Sequence, residues 1–507
     1  MELILKNLSV LLVFATMAAF TWIHGGARAD SLLPTIPWLW AFLFEALLLF
    51  PQRHPHEDPL VARRRVWHAL RTDPLFYATL VFLVVMVVPF TNRGLCQVCD
   101  YPKIMAGASA DPPVPFAPFC VDAGEHLGVF LWFLPSLTAM LAAKHALTRA
   151  GKRALVEMIV WNAAALAVLG FLQRATGATA AFWGDTPAAK DFFSVFGYPN
   201  MGGSFFTMAF ALSVGVWQHR VVETAEMPSV DHHHRQKGSD ISDRMNRFSR
   251  SHYVLVAAVL NFFGAICTLS RAAIILSFSL AGVAFVYYEC SLLLARHHRA
   301  RRIKSAAFAL GGALVFVMAV FVFSPKDLSK ELGSLDAVEV ADRVSGKAQY
   351  HTRVAMAIFK DYPFFGVGGW GYRHFCRGYL KDDEISQMQT RGGANVHNDY
   401  MQFLCEHGTV GAGALVAVFL LLLSPIFSDW YRLLMGSRFL KPEKAPPMPR
   451  AIYCLPAGTF WILLANAALL IHAFGDCPMR CGACLSTFFV TLACATGYIP
   501  REIEDGK

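Results

Sequence analysis

Charged side chains are scarce in this sequence. Asp, Glu, Lys and Arg make up 16% of its 507 residues, whereas a typical soluble protein carries about 25%. Hydrophobic residues account for 55%, and the mean hydropathy is +0.42. The low charge argues against a soluble protein, and the long apolar runs that take its place predict a membrane protein.

Segments of alternating hydrophobicity, about 10 residues each, would mark a transmembrane β-barrel, and none is visible. The first apolar run is compatible with a signal peptide because Ala27-Arg28-Ala29 fits a cleavage pattern, but its length and its single Lys6 favour an uncleaved span. We predict an all-α polytopic membrane protein with about 12 transmembrane helices, near residues 3–23, 32–50, 74–90, 126–143, 154–172, 200–218, 252–270, 272–294, 306–324, 408–427, 451–471 and 482–499.

Lys and Arg are unevenly distributed among the segments between these runs. With the N-terminus in the cytoplasm, the cytoplasmic loops hold 27 of them, and the short outside loops and turn hold 7. The long outside loop 325–397 holds 10, but long loops cross the membrane regardless of their charge. The positive-inside rule therefore predicts cytoplasmic termini and one large extracytoplasmic loop. This asymmetry explains the net charge of +9, so no nucleic-acid partner is expected.

The predicted topology divides the chain into four segments. They are the N-terminal transmembrane helices 1–195, the central transmembrane helices 196–324, an extracytoplasmic loop 325–407 with short helices, and the C-terminal transmembrane helices 408–507. The loop is the longest polar interval in the sequence, and it runs directly into an apolar segment. Side chains able to do chemistry are thus gathered at the mouth of a predicted spanning helix.

Glycines are concentrated in the middle of this loop. Gly366-Val-Gly-Gly-Trp-Gly371 fits the G-x-G-x-x-G pattern, which binds dinucleotides only where it joins a strand to a helix. Here it follows Tyr362-Pro363 in an outside loop, so we do not expect a nucleotide site. We expect these glycines to make tight turns or to let a ligand approach the backbone.

Two arginines stand out by their positions. Arg271 lies between two apolar runs at the predicted outer membrane surface, where a charged group is either functional or extends to the interface. Arg353 begins an amphipathic stretch that predicts a short helix ending at Pro363. We expect the apolar face of this helix to lie against the membrane surface. Arg353 is then either functional or a surface charge near the helix start.

His397 stands just before a predicted helix start. The following Asn398-Asp399 is typical of a helix N-cap, and the helix leads into the apolar segment 412–427. Because imidazole groups titrate near neutral pH, His397 is a candidate general base. The alternative is a histidine that caps the helix or lies in the membrane interface.

Cysteines form two groups on the predicted outer side: Cys96, Cys99 and Cys120 in one loop, and Cys477, Cys481 and Cys484 at the start of the last span. The first group is compatible with a structural disulfide in an oxidising compartment. The sequence does not show which cysteines of either group would pair. No cluster of Asp and Glu with metal-ligand spacing is apparent in the outside loops, so we expect no metal.

Four short stretches, taken in order, resemble one protein family. They are Phe196-Gly-Tyr-Pro-Asn200 with Met201-Gly-Gly203, Leu269-Ser-Arg-Ala-Ala273, Arg353 with Asp361-Tyr-Pro-Phe-Phe-Gly-Val-Gly368, and His397-Asn-Asp-Tyr-Met-Gln-Phe-Leu-Cys-Glu406-His-Gly-Thr-Val-Gly411. With a later His472-Ala-Phe-Gly-Asp476, they resemble the O-antigen ligase and polymerase superfamily of bacterial envelope glycosyltransferases. The resemblance covers roughly 196–480, and the cysteines depart from the family pattern.

The resemblance implies a GT-C-like membrane glycosyltransferase without a metal or another cofactor. Such enzymes move a glycan from a polyprenyl-diphosphate carrier to a hydroxyl acceptor at the outer face of the bacterial inner membrane. The implied partners are that donor, a glycan, lipid or protein acceptor, and the bilayer. The implied roles are catalytic base for His397, diphosphate binding for Arg271 and Arg353, and support from Asn398, Glu406, Asn200, His472 and Asp476. Arginine binds phosphate bidentately, and a neutral histidine can accept the acceptor's proton.

Other functions remain open. An O-antigen or polysaccharide polymerase and a protein O-glycosyltransferase would use the same chemistry with a different acceptor. A multi-span anion or solute transporter is the alternative from another class, and it would place its polar groups near the membrane midplane on broken helices. An envelope scaffold without activity is the third interpretation, and it would tolerate loss of Arg271, Arg353 and His397.

Overall fold

The structure is a computed structural model that describes residues 2–27, 33–54, 56–93, 114, 116–184, 192–226, 252–294, 351–380, 395–439 and 455–499. Within these ranges the chain is helical, with two isolated β-bridges and no strand. The all-α prediction is confirmed for this part of the chain. Its helices are α1 (Glu2–Trp22), α2 (Ile36–Phe44), α3 (Pro59–Thr72), α4 (Pro74–Val87), α5 (Ala123–His145), α6 (Arg149–Ala175), α7 (Pro199–Glu226), α8 (Val254–Cys267), α9 (Arg271–Leu294), α10 (351–361), α11 (Gly371–Phe375), α12 (Asp399–Phe439), α13 (Ala457–His472) and α14 (Gly482–Cys494).

Eleven of the predicted spans coincide with these helices, and the span near 306–324 lies outside the described residues. Among the described residues, four helices are long and apolar enough to cross a bilayer: Pro74–Thr91, Ala123–His145, Arg149–Ala175 and Asp399–Tyr431. Six further apolar helices are shorter. The helices therefore fit a multi-pass membrane protein, and the total of twelve spans stays a prediction.

Helix α3 occupies residues that the sequence pattern assigned to a loop. Asp58 caps it, because its side chain accepts a hydrogen bond from the N–H of Leu60 at 2.8 Å, and a proline follows at the first helical position. Ala62, Val66 and Leu70 form a buried stripe with a spacing of four residues. The stripe is narrow and the rest of the helix is basic, which explains why a search for long apolar runs misses it.

The helices form two compact units, which are described separately. The first contains residues 1–151, 334–424 and 469–493, and the second contains residues 152–333, 425–468 and 494–507. The division into four segments made from the topology stays a prediction, and residues 295–350 lie outside the described ranges.

Two loops of the first unit, both predicted to be cytoplasmic, lie together. The side-chain oxygen of Gln52 accepts hydrogen bonds from the backbone and the hydroxyl of Thr148, both at 2.9 Å. The carboxylate of Asp73 lies 2.6 Å from the amine of Lys144 and 2.9 Å from the ring of His145. Burial raises the pKa of Asp73, but the hydrogen bonds from His145 and Lys144 outweigh burial and hold that pKa well below its usual range. These contacts agree with the prediction that both loops lie on the same side of the membrane.

The apolar face of α10 packs inside the first unit. Val354, Ala355 and Ile358 are completely buried, and each contributes on the order of 1–3 kcal/mol by leaving water. Their core cluster also contains Phe119, Val121, Val367, Tyr372, Phe375, Cys376, Val396 and Cys405. The expectation that this face lies against the membrane surface is therefore wrong, because the protein itself supplies the apolar partners. Arg353 is exposed on the same helix.

Helix α12 is interrupted at Gly408, where φ is +62° and ψ is −169°. In an unbroken helix, the next two N–H groups would donate to the carbonyls of residues 405 and 406. Here they donate to segment 363–368, and the two freed carbonyls accept N–H groups from the same segment. The four bonds are Thr409 N to Pro363 O (2.8 Å), Val410 N to Phe364 O (3.0 Å), Val367 N to Cys405 O (3.2 Å) and Gly368 N to Glu406 O (2.8 Å).

Two glycines make this exchange of hydrogen bonds possible. A Cβ on Gly408 would lie 2.3 Å from the carbonyl oxygen of Phe364, and one on Gly366 would lie 2.4 Å from the carbonyl carbon of Glu406. Both glycines also have positive φ, which disfavours other residues. The glycine-rich stretch thus serves a close approach between two backbones of the protein and fixes segment 363–368 against the first turns of α12.

Candidate active site

His397 and Asp476 lie together in the first unit. Nδ1 of His397 is 3.3 Å from Oδ1 of Asp476, and the side chains are 39% and 7% exposed, respectively. Asp476 is held in place because Oδ1 also accepts the backbone N–H of Cys477 at 2.7 Å. A carboxylate only accepts, so Nδ1 of His397 carries the hydrogen. The other ring nitrogen, Nε2, is then the one that can accept a proton.

The backbone of His397 adopts φ +55°, a left-handed conformation that only a few per cent of residues other than glycine adopt, with asparagine, aspartate and histidine the most frequent among them. Such a conformation costs of the order of 1 kcal/mol or more, and residues that adopt it cluster at functional sites. The next residue explains how it is held: the side chain of Asn398 accepts the N–H of Met401 at 3.1 Å and caps α12. The predicted N-cap is therefore confirmed, and Asn398 has a structural role here.

His472 builds the turn that carries Asp476. Its backbone carbonyl, at the end of α13, accepts the N–H groups of Gly475 and Asp476 at 3.1 and 3.2 Å. Its own side chain is buried, with 3% of the residue exposed. His472 thus lies where support for Asp476 was expected, and the contact is made by its main chain.

Glu406 forms a buried ion pair with Arg480, a residue that the sequence interpretation did not single out. One guanidinium nitrogen lies 2.6 Å from the carboxylate, and both residues are almost completely buried. Gln402 donates to the other oxygen of Glu406 at 3.0 Å, and the backbone of Met479 donates to Asp399 at 2.8 Å. Burial lowers the pKa of Arg480, but the charges of Glu406 and Asp399 outweigh burial and raise it. These bonds tie the turn that follows Asp476 to the start of α12.

Helix α10 places a second histidine next to His397. Its first described residue, His351, is buried, and its Nδ1 lies 2.7 Å from the hydroxyl of Tyr372. The ring centroids of His351 and His397 are 6.0 Å apart. Arg353 follows His351 by two residues on this helix, so the structure brings α10, with its predicted diphosphate-binding arginine, beside the candidate base.

The second unit joins the Asn200 motif to the Ser-Arg motif. The hydroxyl of Ser270 donates to Oδ1 of Asn200 at 2.5 Å. A Cβ on Gly203 would lie 2.6 Å from Cβ of Ala273, so this glycine lets α7 pack against the start of α9. Leu269 turns the chain there with φ +60°. Asn200 therefore supports the turn that presents Arg271, the first residue of α9, which is partly buried.

The described outer cysteines carry free thiols. Cys120, Cys477 and Cys481 are buried and form no disulfide, Cys484 is buried as well, and Cys96 and Cys99 lie outside the described residues. Burial raises the pKa of Cys120 to about 11 and raises that of Cys477 well above its usual value. A disulfide through Cys120 is therefore not formed in this structure.

Cys477 belongs to a group of potential metal ligands that sequence spacing did not reveal. Ligand atoms of His397, Asp476 and Cys477 all lie within 4.8 Å of one another. The sequence analysis searched for acidic clusters, whereas this group combines a nitrogen, an oxygen and a sulfur donor from two distant segments. The one sign of this group in the sequence was that Asp476 and Cys477 are adjacent, directly after a predicted span.

In the described part of the chain, these features fit a helical membrane protein with a histidine–aspartate pair in one unit and an arginine at a helix start in the other. The model of the O-antigen ligase family matches residues 256–430, about a third of the chain. No curated protein gives a significant match. The family match confirms the resemblance found in the motifs, and at family level it supports a membrane enzyme that transfers glycans.

Proposed function

We propose that the protein transfers a glycan from a polyprenyl-diphosphate carrier to a hydroxyl acceptor, as an O-antigen ligase does, without a metal. The observation that carries the proposal is the hydrogen bond between His397 and Asp476, at the position where the family-like motif has its histidine. The predicted topology puts this pair on the outer face of the inner membrane, with both termini in the cytoplasm.

His397 acts as the general base. With Nδ1–H donated to Asp476, the free electron pair of Nε2 faces away from that carboxylate and accepts the proton of the acceptor hydroxyl. The acceptor oxygen bonds to the anomeric carbon of the glycan, and the bond between that carbon and the diphosphate oxygen breaks. The electron pair leaves with the polyprenyl diphosphate. Asp476 stabilises the imidazolium that results from this proton transfer.

Arg271 and Arg353 bind the diphosphate, on which negative charge grows as the glycan leaves. Arg271 is the first residue of α9, where its positive charge opposes the helix dipole and costs about 0.3–1 kcal/mol. A diphosphate bound there would reverse that penalty, because helix N-termini and arginine both favour anions. Arg353 is exposed on α10, the helix whose His351 lies next to the candidate base.

The structure also bears on the transporter alternative. Transporters use the free carbonyls and N–H groups of broken helices to bind ions and substrates, and α12 is broken at Gly408. The four backbone groups released by this break are hydrogen-bonded to segment 363–368. Because these backbone groups are already hydrogen-bonded within the protein, the break favours a rigid scaffold for a site at the outer membrane face over a site that binds a transported ion.

The experiment that tests the proposed function uses detergent-purified protein, a polyprenyl-diphosphate-linked oligosaccharide and EDTA. Release of polyprenyl diphosphate is followed with a lipid A–core oligosaccharide, a glycan repeat unit or a serine-containing protein as the acceptor. Release with one acceptor supports the proposal and identifies the protein as a ligase, a polymerase or a protein O-glycosyltransferase. Absence of release with every acceptor, together with uptake of anions into proteoliposomes, would favour the transporter.

A further inference from the structure

We propose that His397, Asp476 and Cys477 bind a thiophilic divalent cation, for which Zn²⁺ is the best match, and that the bound ion stops glycan transfer. The binding itself is inferred from geometry and donor chemistry. Its effect on the reaction rests on the proposed function, in which His397 is the base.

Two of the three pairs of donor atoms are already about as close together as zinc ligands are. Nδ1 of His397 and Sγ of Cys477 lie 3.3 and 3.2 Å from Oδ1 of Asp476. All three donor atoms lie within 4.8 Å of one another. Ligand atoms that surround a tetrahedral zinc ion at about 2.0–2.3 Å are themselves about 3.3–3.8 Å apart. Small rotations of these side chains would therefore suffice to admit the ion.

The donor set selects the metal. Mg²⁺ and Ca²⁺ prefer oxygen ligands alone, whereas a thiolate and an imidazole favour Zn²⁺. Three protein ligands leave the fourth position of a tetrahedral ion open to water or a phosphate oxygen. Asp476 and Cys477 are buried, while the side chain of His397 is 39% exposed and gives the ion access from solvent.

The proton balance shows why the ion would inhibit. Binding releases one proton, from the thiol of Cys477, and Asp476 binds as a carboxylate. His397 stays neutral, because the ion replaces the hydrogen on Nδ1 and the hydrogen is then carried by Nε2. An Nε2 that carries a hydrogen cannot accept the proton of an acceptor hydroxyl. Transfer therefore stops although the diphosphate-binding arginines are unaffected, and no oxidation or reduction is involved.

Binding is tested with Co²⁺ as a spectroscopic probe on the purified full-length protein, without substrate. A thiolate ligand gives cobalt a charge-transfer absorption in the near ultraviolet, and a tetrahedral site gives intense visible bands. We expect one equivalent of cobalt, displaced by Zn²⁺, in the wild type and in Cys481→Ser. Cys481 is the matched control, because it is a buried thiol of the same segment that donates to the carbonyl of Gly25. Cys477→Ser should lose the charge-transfer band.

Absence of the band in the wild type, or its persistence in Cys477→Ser, would overturn the site. Because a substitution could impair folding, thermal unfolding is measured in parallel: Zn²⁺ should raise the midpoint of the wild type and of Cys481→Ser, and it should leave that of Cys477→Ser unchanged. A folded Asp476→Asn variant that binds Co²⁺ as tightly as the wild type would also contradict the proposal.

Inhibition is measured as the rate of polyprenyl diphosphate release with Zn²⁺ and after addition of EDTA. We expect at least a tenfold loss that EDTA reverses, with binding of the lipid donor unchanged. Cys477→Ser, compared with its own rate without metal, should lose this sensitivity. Cobalt bound through Cys477 without inhibition would overturn the inhibitory role. Absence of transfer in every sample, with the cobalt spectrum intact, would instead count against the proposed function.

Discussion

Nδ1 of His397 lies 3.3 Å from Oδ1 of Asp476, although 79 residues separate them in the chain. His397 precedes α12, and Asp476 lies in the turn after α13. The backbone N–H of Cys477 donates a hydrogen bond to the same carboxylate oxygen. Asp476 therefore fixes which nitrogen of His397 carries the hydrogen and how the ring is oriented.

Asp476→Asn is expected to reduce the rate of transfer by up to about 10,000-fold, because an aspartate that orients a catalytic histidine contributes an effect of this size. Asparagine can present its amide N–H to Nδ1, which favours the wrong tautomer. Both the maximal rate and its dependence on pH should change, whereas the KM for the donor should stay nearly constant.

The matched control is Asp361→Asn, which alters a carboxylate that accepts a hydrogen bond from Tyr379 in the loop predicted to be extracytoplasmic. We expect its rate to stay within about twofold of wild type, since surface changes rarely exceed a few tenths of a kcal/mol. If Asp476→Asn also kept the wild-type rate and pH profile, Asp476 would not position His397.

Glu406→Gln should destabilise the protein by up to about 3–5 kcal/mol, because it removes the nearer of the two carboxylates that balance the buried charge of Arg480 and leaves only Asp399, 3.8 Å away. Thermal unfolding in detergent measures this loss. Transfer should fall as well, since the ion pair anchors the turn after Asp476.

The double variant Glu406→Gln with Arg480→Gln removes both charges. We expect the double variant to lose less stability than the sum of the losses in the two single variants. Additive effects of the two substitutions would show that Glu406 and Arg480 do not act as a pair.

Gly408→Ala should strongly destabilise the protein, because its Cβ would lie 2.3 Å from the carbonyl oxygen of Phe364 at a backbone with positive φ. Gly413→Ala, five residues further along α12, is the matched control, since nothing lies within 4 Å of its added Cβ. The control should be neutral or stabilise by up to about 1 kcal/mol. Equal unfolding temperatures for the two variants would argue against the exchange of hydrogen bonds at the break.

Arg271→Gln is expected to change binding and stability in opposite directions. Donor affinity should fall about tenfold or more, because a hydrogen bond between charged groups contributes about 1.5–3 kcal/mol. Without donor, the variant should be as stable as the wild type or up to about 1 kcal/mol more stable, since a cation at a helix N-terminus is unfavourable. Lipid-binding and unfolding measurements on the same samples check both effects, and unchanged donor affinity would remove Arg271 from the diphosphate site.

The sequence predicted the helical fold because long apolar runs carry a strong and local signal. It missed α3, whose buried stripe is narrow, and it assigned the apolar face of α10 to the membrane surface. A periodic pattern shows that one face is buried but not what covers it. In α10 the covering residues come from distant parts of the chain, including Phe119 and Cys405.

The candidate site was predicted in part. His397 and Asp476 were recognised by their resemblance to family motifs, and the cap at Asn398 followed from local chemistry. The pairing of Glu406 with Arg480 was not predictable, because a charge in a short loop looks like a surface residue until the fold buries it. The grouping of Cys477 with His397 likewise depends on two segments that meet only in the folded chain.

Whether His397 accepts the proton of the acceptor hydroxyl is best tested with the variant His397→Asn. Asparagine tolerates the left-handed backbone at this position but cannot act as the base. With EDTA present, the rate of polyprenyl diphosphate release and the affinity for the lipid donor are measured on the same preparation, alongside His397→Ala. If His397 is the base, the rate should fall by about 100–10,000-fold, and the affinity for the lipid donor should stay unchanged. A folded His397→Asn protein that transfers at the wild-type rate would contradict this role.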